Sequence, residues 1–229
     1  MKPDMNHNEY IFSTANAQFQ FLRRFEDMYR NCSDPHGQSS EIGRVDYQLV
    51  LSILNRALTS LPQRSAALRL LDVGCGLGFF TAQLKRSFPT AEVAGCDISP
   101  TAVAKAAARA PECQFFAADL KNLVAESPRG YDALVAMYVL AYFTDAEIDQ
   151  VVGNLRDLLN PGGFFMAAHH LPAKMNFGRF IISLEDARAL FGRHGFTVRL
   201  GVEMHDELDM TYANQPVGHN LYFLAQKNP

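Results

Sequence analysis

Apolar residues near the N-terminus recur at helical spacing and predict two helices. In the first, an aromatic and apolar face is formed by Phe21, Leu22, Phe25, Met28 and Tyr29. The second helix is predicted from about residue 44 to residue 61, and its apolar face contains Val50, Ile53, Leu54, Ala57, Leu58 and Leu61. The intervening segment NCSDPHGQSS is rich in turn-forming residues and predicts a loop.

From Leu68 onward the pattern changes to short apolar runs that alternate with helical segments. The predicted strands are LRLLDV, AEVAGC, CQFFAA, YDALVAM and FFMAA. Ser99 is a suitable N-cap for the helix PTAVAKAAARA, and Thr144 with Glu147 forms a capping box at the start of a later helix. This alternation predicts a parallel sheet with helices on both faces.

The end of the chain predicts an antiparallel pair of strands. After a helix opened by Ser183, the runs FTVRLGVEM and HNLYFLAQK are joined by a loop with no room for a crossover helix. We therefore predict an α/β, Rossmann-like fold with a mostly parallel seven-stranded sheet and an antiparallel last strand. Its expected division is a helical cap over residues 1–64, contiguous with a core over residues 65–229.

Composition and charge narrow the possible partners. The 229 residues carry a formal net charge of −3, which gives no basic field for nucleic acid. The four cysteines form no CxxC pair, so neither a metal site nor a disulfide framework is predicted. The N-terminus lacks a signal-like apolar stretch, and the longest apolar run is shorter than the ~20 residues that cross a bilayer. We expect a cytoplasmic monomer or homodimer without membrane or nucleic-acid partners.

A glycine-rich turn follows the first strand of the predicted sheet. In LLDVGCGLGFFTAQL an apolar strand leads into Gly74, Gly76 and Gly78 and then into an amphipathic helix. Glycines permit a tight turn and a close approach by a ligand, and the helix N-terminus offers free N–H groups to an anion. Tight packing between strand and helix would also account for such a cluster.

Asp97 closes the second strand of the predicted sheet, where Rossmann-type folds hold a ribose by its hydroxyl groups. Because Ser99 is the better helix cap, Asp97 is predicted to bind a ribose. A dinucleotide motif GxGxxG would need glycine at position 79, which is Phe79 here, so an NAD-dependent oxidoreductase is disfavoured.

The motifs DVGCGLG, GCDIS, FFAADL and LNPGGFF, in this order, resemble those of class I S-adenosylmethionine-dependent methyltransferases. The resemblance extends from Leu68 to about His170. It implies S-adenosyl-L-methionine as cofactor, with its methionine moiety lined by Asp72, Gly74, Cys75, Gly76 and Gly78.

The same resemblance implies how the nucleoside is held. Asp97 would bind the ribose and Ile98 would pack on the adenine. Asp119 would accept a hydrogen bond from the adenine amino group, and the Leu120 N–H would point at a ring nitrogen. A cap on the turn KNLVAE is the alternative role for Asp119. The pocket would be closed after the fourth strand by Met137 and Tyr138.

A second resemblance concerns the acceptor. The segments SDPHGQSSEIGRVDYQLVL, LVAMYVLAYF and LNPGGFFMAAHH are similar to the nodulation-type N-methyltransferases, which act on small amines. The chain departs from that pattern at His36, where those proteins usually carry an aromatic residue after the DP pair. This resemblance implies a small-molecule acceptor, an amine being favoured.

Ligands of open α/β folds bind at the carboxyl ends of the strands, so the acceptor residues are expected there. The candidates for catalysis are His169, His170, Tyr138 and Tyr142, supplemented by Tyr10, Tyr29 and His36 from the N-terminal region. A histidine could accept the proton released during transfer. His169 and His170 are adjacent in an extended segment, so only one can face a given cleft. Hydrogen bonding of both to backbone or water is the alternative.

Two further surfaces are open to interpretation. The aromatic residues Phe12, Phe19, Phe21, Phe25 and Tyr29 could form a lid, although core packing explains them as well. The acidic segment HDELDMTY could attract a cationic amine or could be a solvated loop. The alternatives to N-methylation are a small-molecule O-methyltransferase with a histidine base and a catalytically silent binding protein of the same fold.

Overall fold

The computed structural model describes residues 8–13, 20–39, 41–61, 67–123, 129–171, 181–206 and 218–229. The N-terminal part consists of α1 (Asn8–Ile11), β1 (Phe12–Ser13), β2 (Gln20–Phe21), α2 (Phe25–Asn31) and α3 (Glu41–Leu58). The remaining helices are α4 (Phe79–Ser87), α5 (Pro100–Arg109), α6 (Asp145–Leu158) and α7 (Leu184–Arg193). The remaining strands are β3 (Arg69–Val73), β4 (Glu92–Asp97), β5 (Gln114–Ala117), β6 (Tyr131–Met137), β7 (Leu159–His170), β8 (Phe196–Asp206) and β9 (Gly218–Lys227).

Seven strands form one sheet in the order β5-β4-β3-β6-β7-β9-β8. Strands β3 to β7 pair in parallel, whereas β9 is antiparallel to both β7 and β8. The predicted mostly parallel sheet with an antiparallel last strand is therefore confirmed. The carboxyl ends of β3, β4, β5, β6 and β7 meet at one edge, and the candidate site residues follow them.

Apolar side chains cover both faces of the sheet. On one face, Leu70 of β3 belongs to a buried cluster with residues of α3 and α4. On the other face, its neighbour Leu71 belongs to a cluster with residues of α6 and α7. This arrangement follows from the alternation of side chains along a strand. Within the described residues, no helix is both long and apolar enough to cross a membrane.

The capping predictions are confirmed. The Ser99 side chain accepts a hydrogen bond from Ala102 N at 3.1 Å at the start of α5. Thr144 and Glu147 form the capping box of α6.

The prediction of a single helix containing Phe21 and Tyr29 is wrong at its start. Phe21 pairs with Phe12 in a two-stranded antiparallel ribbon, and α2 begins only at Phe25. Arg23 adopts a positive φ of 51°, and its N–H donates to Ile11 O at 3.2 Å. That conformation is incompatible with a right-handed helix, so the chain turns before α2. The division into a cap of residues 1–64 and a core stays a prediction.

Candidate active site

The glycine turn connects β3 to α4 at the carboxyl edge of the sheet. Its three glycines all have positive φ, with 69° at Gly74, 53° at Gly76 and 75° at Gly78. A Cβ at Gly76 would lie 2.7 Å from the Tyr29 hydroxyl and 2.8 Å from Gln38 Oε1. The turn thus needs glycine both for its backbone conformation and for the close approach of the N-terminal segment.

Asp97 joins the glycine turn to the loop that follows β4. Its Oδ2 accepts from Gly76 N and its Oδ1 accepts from Ser99 N, both at 2.9 Å. Burial raises the pKa of Asp97 to about 6 in spite of these hydrogen bonds. Each carboxylate oxygen has a further lone pair, and the neighbouring Ile98 is 49% exposed. These features fit a ribose at Asp97 and an adenine ring against Ile98.

Asp72 lies on the α4 side of the turn. It is only 1% exposed and accepts a hydrogen bond from the Thr81 hydroxyl at 2.6 Å. Burial raises its pKa to about 7, and the nearby carboxylate of Asp97 acts in the same direction. Cys75 is also buried, and its N–H donates to Cys96 O at 2.9 Å.

The substitution Asp72→Asn is expected to stabilise the free protein at neutral pH. The folded protein holds the Asp72 proton more tightly than the unfolded chain does, because the carboxyl pKa is about 7 in the folded state and 3.8 in the unfolded state. The free energy of unfolding is therefore highest below pH 3.8 and falls as the pH rises through about 7, where the buried carboxyl must ionise. The asparagine side chain remains neutral, so the variant should gain roughly 2–4 kcal/mol in free energy of unfolding at pH 8 and less than about 1 kcal/mol at pH 4. Urea unfolding across this range measures the difference. Parallel stability curves for the two proteins would contradict the assignment.

Asp119 follows β5 and is part of a turn. Its Oδ1 accepts from Lys121 N at 3.0 Å, and Lys121 Nζ lies 3.9 Å from its Oδ2. The capping role considered for Asp119 is therefore present in the structure. Leu120 is buried, and its carbonyl accepts from Asn154 Nδ2 at 3.0 Å. Binding of adenine by Asp119 and Leu120 stays a prediction.

Aromatic side chains gather beside the glycine turn. Phe25 contacts Tyr142 edge-on at 5.2 Å between ring centroids, and His36 lies 6.0 Å from Tyr29 and 6.2 Å from Tyr142. We call Phe25, Tyr29, His36 and Tyr142 the aromatic cluster. Tyr29 is buried, and the charge of Asp97 is among the causes that raise its pKa, after burial itself. The cluster therefore lies near both the turn and Asp97.

The segment of residues 20–39, which contains α2, is attached to the carboxyl edge of the sheet through two carboxylates. Glu26 of α2 accepts from the Ser99 hydroxyl at 2.5 Å and from the Thr101 hydroxyl at 2.6 Å, and these bonds lower its pKa to about 2. Glu147 at the start of α6 accepts two bonds from the Arg23 guanidinium, at 2.8 and 2.6 Å. The segment thus lies across the candidate cofactor site. Whether it acts as a lid stays a prediction.

The two adjacent histidines at the end of β7 point to opposite faces. His169 is 2% exposed, and burial lowers its pKa to about 4. His170 is exposed, stacks on the Tyr138 ring at 4.2 Å, and places Nδ1 2.7 Å from Asn220 Oδ1. The structure thus brings Tyr138 and His170 together and separates His169 from them. Met137, which precedes Tyr138, is half-buried against α3 and α4 side chains.

Several site residues were not found by sequence reasoning. Gln38 accepts from Leu77 N at 3.0 Å, at the start of α4, and Asp46 of α3 bonds the hydroxyl groups of Tyr138 and Tyr222. The capping signal of the α5 N-terminus gave no indication that Glu26 would bind there. Phe19 and most of the segment HDELDMTY lie outside the described residues. The described part of the chain contains no group of three or more His, Cys, Asp or Glu side chains able to hold a metal ion.

Comparison with known proteins shows that the central part of the chain is similar to methyltransferases. Residues 70–163 match a family model described as a methyltransferase domain. Over 92 residues the chain is 37% identical to trans-aconitate 2-methyltransferase of Escherichia coli. That match covers 40% of this chain and 35% of the relative, so the chain aligns with about a third of the relative's length.

Two solved structures share the fold. The N-methyltransferase NodS from Bradyrhizobium japonicum WM9, in complex with S-adenosyl-L-homocysteine, has a TM-score of 0.68 at 18% identity, covering 90% of this chain and 98% of that one. The CurJ carbon methyltransferase has a TM-score of 0.69 at 18% identity, covering 91% of this chain and 63% of that one.

Proposed function

We propose that this chain, a class I S-adenosylmethionine-dependent methyltransferase by its fold and its domain match, methylates a nitrogen atom of a small-molecule acceptor. The cofactor is S-adenosyl-L-methionine. When bound, it supplies an electrophilic methyl group on a sulfonium ion, which a nucleophile attacks in line with the breaking carbon–sulfur bond. The residues of this chain would hold the two reactants, exclude water and accept a proton.

The glycine turn and Asp97 would hold the cofactor. The turn presents the start of α4 to the methionine carboxylate, while Asp97 accepts from the ribose hydroxyls and Ile98 packs on the adenine. Asp97 is already fixed by Gly76 N and Ser99 N. The carboxylate is therefore oriented before the cofactor arrives, which reduces the entropy lost on binding.

The aromatic cluster beside the glycine turn is the observation that best supports a nitrogen atom as the methyl acceptor. Aromatic ring faces attract cations, and both a sulfonium ion and the developing charge on a methylated amine are cationic. Phe25, Tyr29 and Tyr142 would therefore stabilise the charge that appears on nitrogen during transfer. The bonds of Glu26 and Arg23 hold this segment over the sheet edge, which favours a small acceptor.

A hydroxyl acceptor is the second candidate, and His170 is the observation that favours it. A neutral hydroxyl group must lose its proton as it attacks, and an exposed histidine at the end of β7 could accept it. An amine can instead arrive neutral, so that positioning alone supplies much of the acceleration. The two acceptors thus differ in how strongly they need His170.

Matched pairs of small acceptors decide between these candidates. Purified protein is incubated with methyl-labelled cofactor and with amines and alcohols that share one carbon skeleton. We expect label on the amine of a pair and at least about 100-fold less on the alcohol, because the cluster stabilises charge on nitrogen. Preferential labelling of alcohols would support the O-methyltransferase. Cofactor binding without transfer to any metabolite of the producing cell would instead support the silent binding protein.

A further inference from the structure

Asp46 of α3 forms the centre of a polar group that the methyl-transfer scheme above does not use. Its Oδ1 accepts from the Tyr222 hydroxyl at 2.5 Å, and its Oδ2 accepts from the Tyr138 hydroxyl. The two hydroxyl oxygens lie 3.0 Å apart. Burial is the main cause that raises the pKa of Tyr138, followed by the charge of Asp46, so the phenol keeps its proton and donates.

Asp46 fixes a residue that the local backbone does not favour. Tyr138 has a positive φ of 62°, which is unusual for a bulky side chain. Its N–H donates to Ala168 O at 2.8 Å, and its hydroxyl is held by Asp46 at the other end. Tyr222 is fully buried on β9 and supports the same carboxylate. The Tyr138 ring is therefore held at both ends between α3 and the sheet.

The fixed ring in turn supports His170. The two rings stack at 4.2 Å with an interplanar angle of 17°, so rotation of one would disturb the other. The imidazole is also bound at Nδ1 by Asn220 Oδ1 at 2.7 Å, and Asn220 is only 6% exposed. Because an amide oxygen only accepts, Nδ1 carries the proton, which makes Nε2 the proton-accepting nitrogen of the neutral ring.

We propose that Asp46 is a positioning residue of the methyl-acceptor site, which acts through Tyr138 to hold His170 with Nε2 directed as a proton acceptor. This proposal rests on the proposed function and on the expectation that the acceptor approaches the carboxyl ends of β6 and β7. Both oxygens of Asp46 are bonded to tyrosine hydroxyls, so in this scheme Asp46 would act on the acceptor only through Tyr138. Its contribution is orientation, in the same way that hydrogen-bonded partners orient the ligands of other sites.

The proton balance of the transfer defines what His170 must do. The acceptor's lone pair forms the new bond to the methyl carbon while the electron pair of the carbon–sulfur bond remains on sulfur. A hydroxyl acceptor gives its proton to Nε2, which yields an imidazolium ion, whereas a neutral amine keeps its proton on the ammonium product and uses Nε2 as a hydrogen-bond acceptor that orients its N–H group. The groups in contact with this ring include Tyr138, which stacks on it, and Asn220 of β9, which bonds its Nδ1. Asp46 and Tyr222 bond the Tyr138 hydroxyl, and His169 precedes His170 on β7.

The tautomer of His170 tests the proposal without any acceptor. Long-range proton–nitrogen NMR spectra distinguish an Nδ1–H ring from an Nε2–H ring, and a His170→Gln variant assigns the signal. We expect the Nδ1–H form in the unmodified protein. Asp46→Ala should convert the signal to a mixture of both forms. Without Asp46 the Tyr138 ring is no longer fixed, so the stacked imidazole can rotate away from Asn220 Oδ1. Asp46→Asn should keep the Nδ1–H form, since an amide can accept from one tyrosine hydroxyl and donate to the other.

Kinetics provide the second readout. Asp46→Ala is expected to lower kcat by about 10- to 100-fold with cofactor Kd unchanged, and Asp46→Asn is expected to restore most of the rate. The matched control is Asp149→Ala, which removes a surface carboxylate that bonds another histidine, His194, at 2.7 Å. This control should leave the His170 tautomer and kcat unchanged.

Each outcome decides the question. A folded Asp46→Ala protein with the original tautomer and kcat overturns the proposal. If that variant does not fold, Tyr138→Phe replaces it, because phenylalanine keeps the stacked ring and loses only the hydroxyl contacts with Asp46 and Tyr222. An unchanged tautomer in Tyr138→Phe then overturns the proposal. Failure of every acceptor to become labelled, with the expected tautomers observed, contradicts the proposed function and leaves the positioning by Asp46 supported.

Discussion

Replacement of Asp97 by alanine is expected to weaken S-adenosylmethionine binding by about 10²- to 10⁴-fold. The ribose would lose two hydrogen bonds to a charged carboxylate, each of which contributes about 1.5–3 kcal/mol. The variant also removes the acceptor for Gly76 N and Ser99 N, so the glycine turn and the β4–α5 loop lose their common anchor. Titration calorimetry with cofactor, on protein shown to be folded by circular dichroism, measures the change.

The control for Asp97→Ala is another buried aspartate at the opposite end of the sheet. Asp132 is 3% exposed and accepts from Arg69 N at 3.0 Å and from Asn160 Nδ2 at 2.8 Å. Asp132→Ala should lower stability while cofactor affinity stays within about twofold, because its contacts lie far from the glycine turn. Equal losses of affinity in both variants would indicate a general effect on folding. Unchanged affinity in Asp97→Ala would mean that Asp97 does not bind the ribose.

The sequence predicted those features that depend on neighbouring residues. Hydrophobic runs located β3, β4, β6 and β7 because a buried parallel strand is apolar on both faces. Shorter or more mixed runs rich in aromatic and β-branched residues located β5 and the antiparallel pair β8 and β9. Ser99 and Thr144 were correctly predicted as helix caps, since a cap bonds a backbone group only two or three positions away. The glycine turn was predicted for the same reason, because its glycines are required by the local backbone. Its binding of the cofactor stays a prediction.

Features that depend on distant parts of the chain were not predicted. Asp46 appears in the sequence only as one polar residue on an amphipathic helix, and nothing nearby indicates that two tyrosines from other strands bond it. Arg23 and Glu147 are likewise far apart in sequence. The positive φ of Arg23 was not predicted either, so the helix was expected to include residues that form a strand and a turn. Such contacts are set by the packing of α2 against α5 and of α3 against the sheet, and one sequence carries no direct signal for that packing.

The arrangement of the candidate acceptor residues therefore depends on tertiary contacts, whereas that of the candidate cofactor residues follows largely from local motifs. Tyr138 and His170 were both predicted from their positions after strands. Their stacking, and the exposure of His170 in contrast to the burial of His169, became visible only in the structure. The alternation of side chains had already required the two histidines to diverge. The burial of each ring then decides which one a ligand can reach.

Replacement of His170 by alanine is expected to lower single-turnover methyl transfer by about 10²- to 10⁴-fold if the ring is a general base, with cofactor affinity nearly unchanged. The rate of the unmodified protein should fall at low pH, where the imidazole is protonated and cannot accept the proton of the acceptor. If the ring only orients an amine, the loss should be smaller and the pH dependence weak. Rates across about pH 6 to 9 distinguish these roles.

Two other histidines serve as references for this measurement. His194→Ala removes a surface ring that bonds Asp149, and it should leave the rate unchanged at every pH. His169→Ala removes a ring buried in the core, so it should lower the free energy of unfolding by about 2 kcal/mol or more because it leaves a cavity. Its rate per folded molecule should exceed that of His170→Ala, since only His170 stands on the Tyr138 side of the sheet. Wild-type rates in His170→Ala over the whole pH range would exclude this histidine from catalysis. Tyr138 and the aromatic cluster, which includes Tyr142, would then be the groups expected to position the acceptor.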